Sequence, residues 1–223
     1  MNGNKTIRQT AHFAALRKTE EIMLLNLIIT GVGGQGNVLA SQILGRAAVK
    51  KGLQVTIGET FGLSQRGGPV MSHVRVSDER LLSPIIPPNC ADVVVGLEPL
   101  ETVRILSEFG NDGCTFIVNS RPIYPLNVIA GDVAYPDPDW MRATIEACAR
   151  RLYWLEGTQQ AIELGGPIML NMVMLGALCA LEEMPILQPD VEAVIGELFP
   201  VSKLEPNRRA LQTGREMVLS YEN

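Results

Sequence analysis

Residues Leu24 to Glu59, LLNLIITGVGGQGNVLASQILGRAAVKKGLQVTIGE, restrict the possible folds more than any other stretch of the chain. An apolar run is followed by Gly31, Gly33 and Gly36 at G-x-G-x-x-G spacing. Val38, Leu39, Ile43, Leu44, Ala47 and Ala48 then recur at helical spacing, and Lys50-Lys51-Gly52 is a strong helix stop. The order predicts strand, glycine turn, helix and second strand, the opening unit of a parallel α/β sheet. Leu24–Thr30, apolar apart from Asn26, suits a strand buried on both faces. Glu59 closes the second strand 23 positions past Gly36, where a dinucleotide fold places its ribose-binding acid. A free-standing NAD(P)- or FAD-binding oxidoreductase domain is therefore the first reading to test.

The residues after Leu53–Ile57 depart from that pattern. Gly58 to Pro69, GETFGLSQRGGP, cannot run straight into a helix and predicts an exposed, shaped loop. Beyond it Val70, Ser72, Val74 and Val76 alternate with Met71, His73 and Arg75, which reads as a half-exposed strand and makes the sheet mixed. Leu81–Pro88 is a proline-rich connection. Further strands are expected at Ala91–Leu97, Thr115–Asn119 and Leu152–Leu155, with a short one at Val128–Ala130. Helices are expected at Pro99–Phe109, at Trp140–Arg150 capped by Asp139, and from Thr158–Glu163. Gly165-Gly166-Pro167 introduces an apolar helix Ile168–Leu181, and Leu204–Tyr221 closes the chain as an amphipathic helix. The fold class is α/β: a three-layer, Rossmann-like domain over 23–223 with a mixed, largely parallel sheet, preceded by an N-terminal extension, 1–22. That extension reads as disordered or as a short docking helix, with His12 exposed.

Hydrophobic residues make up 46% and aromatics 5%, so the core is aliphatic. A net charge of −5 without a basic stripe excludes a general nucleic-acid surface. Cys90, Cys114, Cys148 and Cys179 stand 24, 34 and 31 apart, which leaves no C-x-x-C for a locally built iron–sulfur or zinc site. Cys148 and Cys179 fall in helical patterns and read as buried, inert thiols. The N-terminus has no apolar signal core, and no apolar run approaches the roughly 20 residues of a membrane span. A cytoplasmic location away from membranes is expected.

Few residues carry a chemical signature. Gly31, Gly33, Gly34, Gln35 and Gly36 present backbone N–H groups at a helix N-terminus, a cradle for an anion, although glycines also serve plain strand–helix packing. Ser64, Gln65, Arg66 and Gly67 place a guanidinium suited to carboxylate or phosphate in a loop that allows close approach. His73 reads first as a structural hydrogen-bonding group and second as an acid or base. Asn171, set in an apolar helix, bonds either to backbone or to a partner or ligand. No nucleophile motif, phosphate-binding lysine loop or metal-ligand cluster is present, so no catalytic and no metal-binding residue is assigned.

Five segments in order carry a family resemblance: GVGGQGNVLASQILGRAA, SQRGGPVMSHVRVS, SPIIPPNCADVVVGLEPLE, NMVMLGAL and EPNRRALQTGREM. Together they resemble the gamma-type domain of 2-oxoacid:ferredoxin oxidoreductases, with the pattern Gln65 to Arg75 closest to the small beta subunit of the indolepyruvate type. The similarity spans about residues 25–220, and the N-terminal extension is outside it. It implies an accessory subunit of an enzyme that turns a 2-oxoacid, here an aryl-pyruvate, and coenzyme A into acyl-CoA, CO2 and reduced ferredoxin. It also implies no cofactor on this chain: thiamine diphosphate, Mg2+ and the iron–sulfur clusters belong to a large alpha subunit, ferredoxin is met through the complex, and coenzyme A is a co-substrate. The glycine turn and the Arg66 loop become candidates for shaping the approach of substrate or coenzyme A. Thr60-Phe61 departs from the aryl-type pattern and leaves the substrate open. A ligand-free structural interaction domain is the remaining reading.

Overall fold

The computed structural model describes residues 22–62 and 68–221. The extension, with His12, and the loop residues Ser64, Gln65, Arg66 and Gly67 lie outside the described residues. The elements run β1 (Leu24–Val32), α1 (Asn37–Lys50), β2 (Gln54–Phe61), β3 (Pro69–Ser77), β4 (Val93–Gly96), α2 (Pro99–Phe109) and β5 (Thr115–Asn119). They continue α3 (Leu126–Ile129), α4 (Pro138–Cys148), β6 (Arg151–Leu155), α5 (Gly157–Glu163), a 3-10 turn (Pro167–Met169), α6 (Leu170–Leu178), α7 (Gln188–Leu198) and α8 (Val201–Tyr221).

The six strands form one sheet in the order β2-β3-β1-β4-β5-β6. β1, β4, β5 and β6 are parallel, and β3 runs antiparallel to both β1 and β2. Strand β1 is central and apolar on both faces, as its composition requires. Leu25, Leu27 and Ile29 point into a core shared with α1, α6, α7 and α8, whereas Ile28 points into a second core with Ile105 and Phe109 of α2 and Ile145 of α4. Helices on both faces of a mixed sheet make the three layers expected.

Within the larger core, the backbones of α6 and α8 approach each other closely at Gly176 and Gly214. A Cβ on Gly176 would lie 1.9 Å from the Leu211 carbonyl oxygen, and one on Gly214 would lie 1.7 Å from that of Val173. Lys51 pairs with Asp190 at 2.8 Å, and Lys50 pairs with Glu197, so the C-terminal end of α1 is tied to α7.

Several local expectations are corrected. β2 does not stop near Ile57: Gly58 to Phe61 stay in the ladder, opposite His73 to Val70. β3 is not half-exposed, because it sits between β2 and β1 with both faces covered. Val128 and Ile129 lie in a helical turn, α3, rather than a strand. The cap of α4 is Asp137, which accepts from the Asp139 N–H at 2.8 Å; Asp139 is inside the helix. The apolar helix is shorter than read, with Pro167–Met169 forming a 3-10 turn before Leu170. Cys148 is exposed, whereas Cys114 and Cys179 are buried and burial pushes both thiols up to about 12.

Candidate functional site

The glycine turn sits where the sheet changes the side on which its helices lie: α1 packs on one face after β1, and α2 packs on the other after β4. Doubly wound folds bind ligands at that switch point, in the crevice beyond the strand ends. Here the crevice is filled from within. Gln35 folds back so that its Oε1 accepts from the Val32 N–H at 2.8 Å and its Nε2 donates to the Leu97 carbonyl at 2.8 Å. Gly31 leaves the room: a Cβ there would stand 2.5 Å from Gln35 Oε1 and 3.0 Å from Leu97 Cβ. Gln35 thus bridges the C-terminal ends of β1 and β4, where a dinucleotide would lay its pyrophosphate.

Glu59 is displaced as well. Because β3 lies between β2 and β1, Glu59 is two strand spacings, about 10 Å, from the turn it would serve. Its carboxylate accepts instead from Ser41 Oγ at 3.4 Å. The spacing that suggests a dinucleotide site is present, and the pairing order removes its geometry. Gln35→Ala is expected to cost about 1–3 kcal/mol, since the Val32 N–H loses its acceptor. A urea titration with unchanged slope reads that loss, and millimolar NADH is expected to leave the melting temperature of the wild-type chain unmoved.

The start of α1 is held from three sides. Gly36 is its N-cap at φ 84°, and a Cβ there would stand 2.5 Å from Asn171 Nδ2, so both backbone and space demand glycine. Asn171 Nδ2 donates to the Gly36 carbonyl at 3.5 Å, and its Oδ1 accepts from the Met172 N–H at 2.9 Å, which settles its bonds within this chain as backbone ones. Gly33 N–H donates to the Gly68 carbonyl at 2.9 Å, and Asn37 Nδ2 to that of Val70 at 3.2 Å, so the turn is tied to the start of β3. Gly34, at φ 103°, has none of the described residues within 4 Å of a built Cβ. Among the described residues, the buried Asn37 Oδ1 and Ser72 Oγ have no hydrogen-bond partner.

Beside the turn lies a group the sequence reading does not single out. Glu98, 1% exposed, caps α2 by accepting from the Glu101 N–H at 2.9 Å. Its other oxygen accepts from the Ile123 N–H at 3.3 Å and from the Tyr135 hydroxyl. Burial and that carboxylate push the Tyr135 phenol up, so it remains a donor. Asn119, fully buried at the end of β5, donates to the Leu97 carbonyl at 3.0 Å and accepts from the Thr158 N–H at 2.9 Å. The available signals were Glu98 just ahead of Pro99 with Glu101 three positions on, and an asparagine ending an apolar strand.

His73 and Arg75 stand on the other face of the sheet, away from the turn. His73 is buried, its Nδ1 accepts from the Ile86 N–H at 3.4 Å, and its ring meets Phe109 edge-on at 5.2 Å. Burial first, and Arg75 second, hold its pKa below the ordinary 6.5. The folded chain keeps it neutral while the unfolded chain takes up a proton, so its stabilising contribution is full above 6.5 and falls as pH drops below that value. Between pH 7.5 and 5.5 the wild type is expected to lose melting temperature faster than His73→Gln. Parallel slopes would show that His73 does not titrate differently on unfolding.

Among the described residues, no group of three or more His, Cys, Asp or Glu is arranged to hold a metal ion, and no helix is long and apolar enough to cross a membrane. The N–H groups of Val32, Gly33 and Gln35 are already donated within the chain, and the Glu98 carboxylate is fully engaged, so what the turn offers chemically is the backbone at Gly34.

Known proteins place this fold. The family model described as pyruvate ferredoxin/flavodoxin oxidoreductase matches residues 26–217. Indolepyruvate oxidoreductase subunit IorB of Archaeoglobus fulgidus is 36% identical over 198 residues, covering 89% of this chain and 97% of that protein. The pyruvate/ketoisovalerate oxidoreductases common subunit gamma of Thermococcus kodakarensis is 29% identical, over 89% of this chain and 100% of its own. A solved 2-oxoglutarate:ferredoxin oxidoreductase from Magnetococcus marinus, with 2-oxoglutarate, coenzyme A and succinyl-CoA bound, superposes with a TM-score of 0.68 at 24% identity. The match covers 89% of this chain but 31% of that one.

Proposed function

We propose a role for this chain from its family: it belongs to the pyruvate ferredoxin/flavodoxin oxidoreductases, and within them it serves as the small accessory subunit of an enzyme acting on aryl-pyruvates such as indolepyruvate. The observation that carries this reading is the near full-length similarity to an indolepyruvate oxidoreductase subunit, higher than that to a pyruvate/ketoisovalerate gamma subunit. The holoenzyme converts 2-oxoacid and coenzyme A to acyl-CoA and CO2 and reduces ferredoxin. Thiamine diphosphate with Mg2+ supplies the decarboxylation and the iron–sulfur clusters carry the electrons; both are assigned to the large alpha subunit, in the cytoplasm. Residues 23–223 are the gamma-type domain and 1–22 an extension.

For this chain's own residues the role is shape and electrostatics. The turn Gly31, Gly33, Gly34, Gln35 and Gly36 forms a stiff wall toward the partner's reacting centre. Gln35 keeps that wall closed, and Gly34 leaves backbone open to an approaching group. Ser64, Gln65, Arg66 and Gly67 are assigned to the same approach, with Arg66 the cation for a coenzyme A phosphate or a substrate carboxylate. The ties of Gly33 to Gly68 and of Asn37 to Val70 support this, because they join the turn to the far end of that segment.

The test is reconstitution with the thiamine-containing chain, measuring coenzyme A-dependent reduction of ferredoxin with indolepyruvate and with pyruvate. Turnover by this chain alone, or full turnover by its partner without it, overturns the accessory role. A preference for pyruvate overturns the substrate class.

A further inference from the structure

The segment Ile123–Tyr135 is tied at both ends to one buried group. The Ile123 N–H and the Tyr135 hydroxyl both donate to Glu98 Oε1, and the Tyr124 and Tyr135 rings meet edge-on at 5.0 Å. A loop with such a neck is a compact Ω-type excursion, set at its base and free at its tip. Its tip is α3, which has no buried residue. Leu126 is 82% exposed and Ile129 69%, with Tyr124 and Val133 half in solvent. A single helical turn has no stability of its own, and among its residues only Val128 is half-buried against the described chain. From Ile123 to Tyr135 the only charged side chain is Asp132, in a chain of net charge −5.

We propose that the loop Ile123–Tyr135 is a docking finger that seats Leu126 and Ile129 in an uncharged, apolar socket of the large partner subunit. The inference rests on the accessory-subunit reading above. Three observations favour that occupant over water. The absence of lysine, arginine and glutamate from the loop matches the core of a permanent interface rather than a solvated surface. A fully buried carboxylate holds the neck, which fixes the direction in which the apolar tip points. The third is position: Glu98 follows Leu97, whose carbonyl accepts from Gln35, so the neck of the finger and the glycine turn meet at the C-terminal ends of β1 and β4. A partner gripping the finger therefore lies over the turn. The Magnetococcus marinus relative is consistent with a large neighbour, its matching region being 31% of a longer chain.

The experiment uses the full chain co-expressed with its thiamine-containing partner, comparing wild type with the double variant Leu126→Asp, Ile129→Asp. Neither side chain is buried, so the variant alone is expected to match the wild type in melting temperature and circular dichroism. Its affinity for the partner is expected to fall about a hundredfold or more, as for loss of an interface anchor. Should the aspartates disturb folding, the pair Leu126→Ser, Ile129→Ser reads the same loss. Wild-type affinity in a folded variant overturns the finger. Failure of the wild-type chain itself to bind its partner overturns the subunit reading instead. A wild-type dimer that the variant breaks, with partner binding intact, assigns the finger to a second copy of this chain and overturns the proposed occupant.

Discussion

Gly214→Ala is expected to destabilise the chain by about 3 kcal/mol, with a fall in melting temperature of about 6–12 °C for a domain of this size. The reason lies in what the new methyl meets. It would stand 1.7 Å from the Val173 carbonyl oxygen and 2.8 Å from the Ala177 nitrogen, both backbone atoms of α6. No rotamer change relieves such a clash, so α6 and α8 must separate. Separation loosens Val173, Ala177, Ala210 and Leu211, all fully buried at that crossing. Overpacking a core by a methyl group costs about 1–3 kcal/mol, and a backbone obstacle places this case at the upper end. Gly196→Ala is the control. That glycine is in α7 with nothing within 4 Å of a built Cβ, so alanine is expected to be neutral or to stabilise by up to about 1 kcal/mol. Equal melting temperatures for the two variants would mean that the crossing is not as close as described.

The same crossing shows how far the sequence is legible. NMVMLGAL and ALQTGREM read as helical from their periodicity. That Gly176 makes room for the Leu211 backbone and Gly214 for that of Val173 depends on residues 35 and 41 positions apart and leaves no local signal. The glycine unit at the start of the chain is read to within a few residues, because each of its parts, apolar strand, turn and helix stop, is encoded locally. The same holds for α2 and β5, whose bounds match. α7 goes unread, and Leu204 is taken as the start of a helix that begins at Val201. Val128–Ala130 looks like a strand because three consecutive apolar residues, two of them β-branched, carry no period of their own.

The candidate site is legible in place but not in function. Gly31, Gly33, Gly34, Gln35 and Gly36 are where the spacing puts them, at the end of β1. The use of Gln35 depends on Leu97, 62 positions on, and the demotion of Glu59 depends on β3 entering between β2 and β1. Strand order is a tertiary choice, and alternation along a strand does not reveal its neighbours. Glu98 passes as one charge among many until Tyr135 and Ile123 are seen to converge on it.

Arg75→Ala is expected to cost about 3 kcal/mol and to release the proline-rich segment from the sheet. Met71, His73 and Arg75 alternate as a solvent-facing strand does, yet Arg75 is only 9% exposed. Its Nε donates to Asn26 Oδ1 at 2.8 Å, and one terminal nitrogen donates to the Ser83 and Ile85 carbonyls at 3.0 and 3.4 Å. One guanidinium thus joins β3, β1 and the segment that covers them. Alanine leaves the buried Asn26 oxygen unpaired, a loss of about 1–3 kcal/mol, and opens the space of the side chain besides. Burial already holds the Asp92 carboxyl above the ordinary range, with the Asn26 N–H and Arg75 opposing it, so loss of the cation raises it further. Lysine keeps the charge but lacks the fork that reaches three oxygens in three directions, so Arg75→Lys is expected to recover less than half of the stability. Hydrogen exchange separates this account from a general loss of stability. In Arg75→Ala the Ile86 amide, bonded to His73 Nδ1, is expected to exchange faster by a larger factor than the amides of β4 and β5. Uniform acceleration across the sheet would mean that Arg75 is not what holds the cover in place.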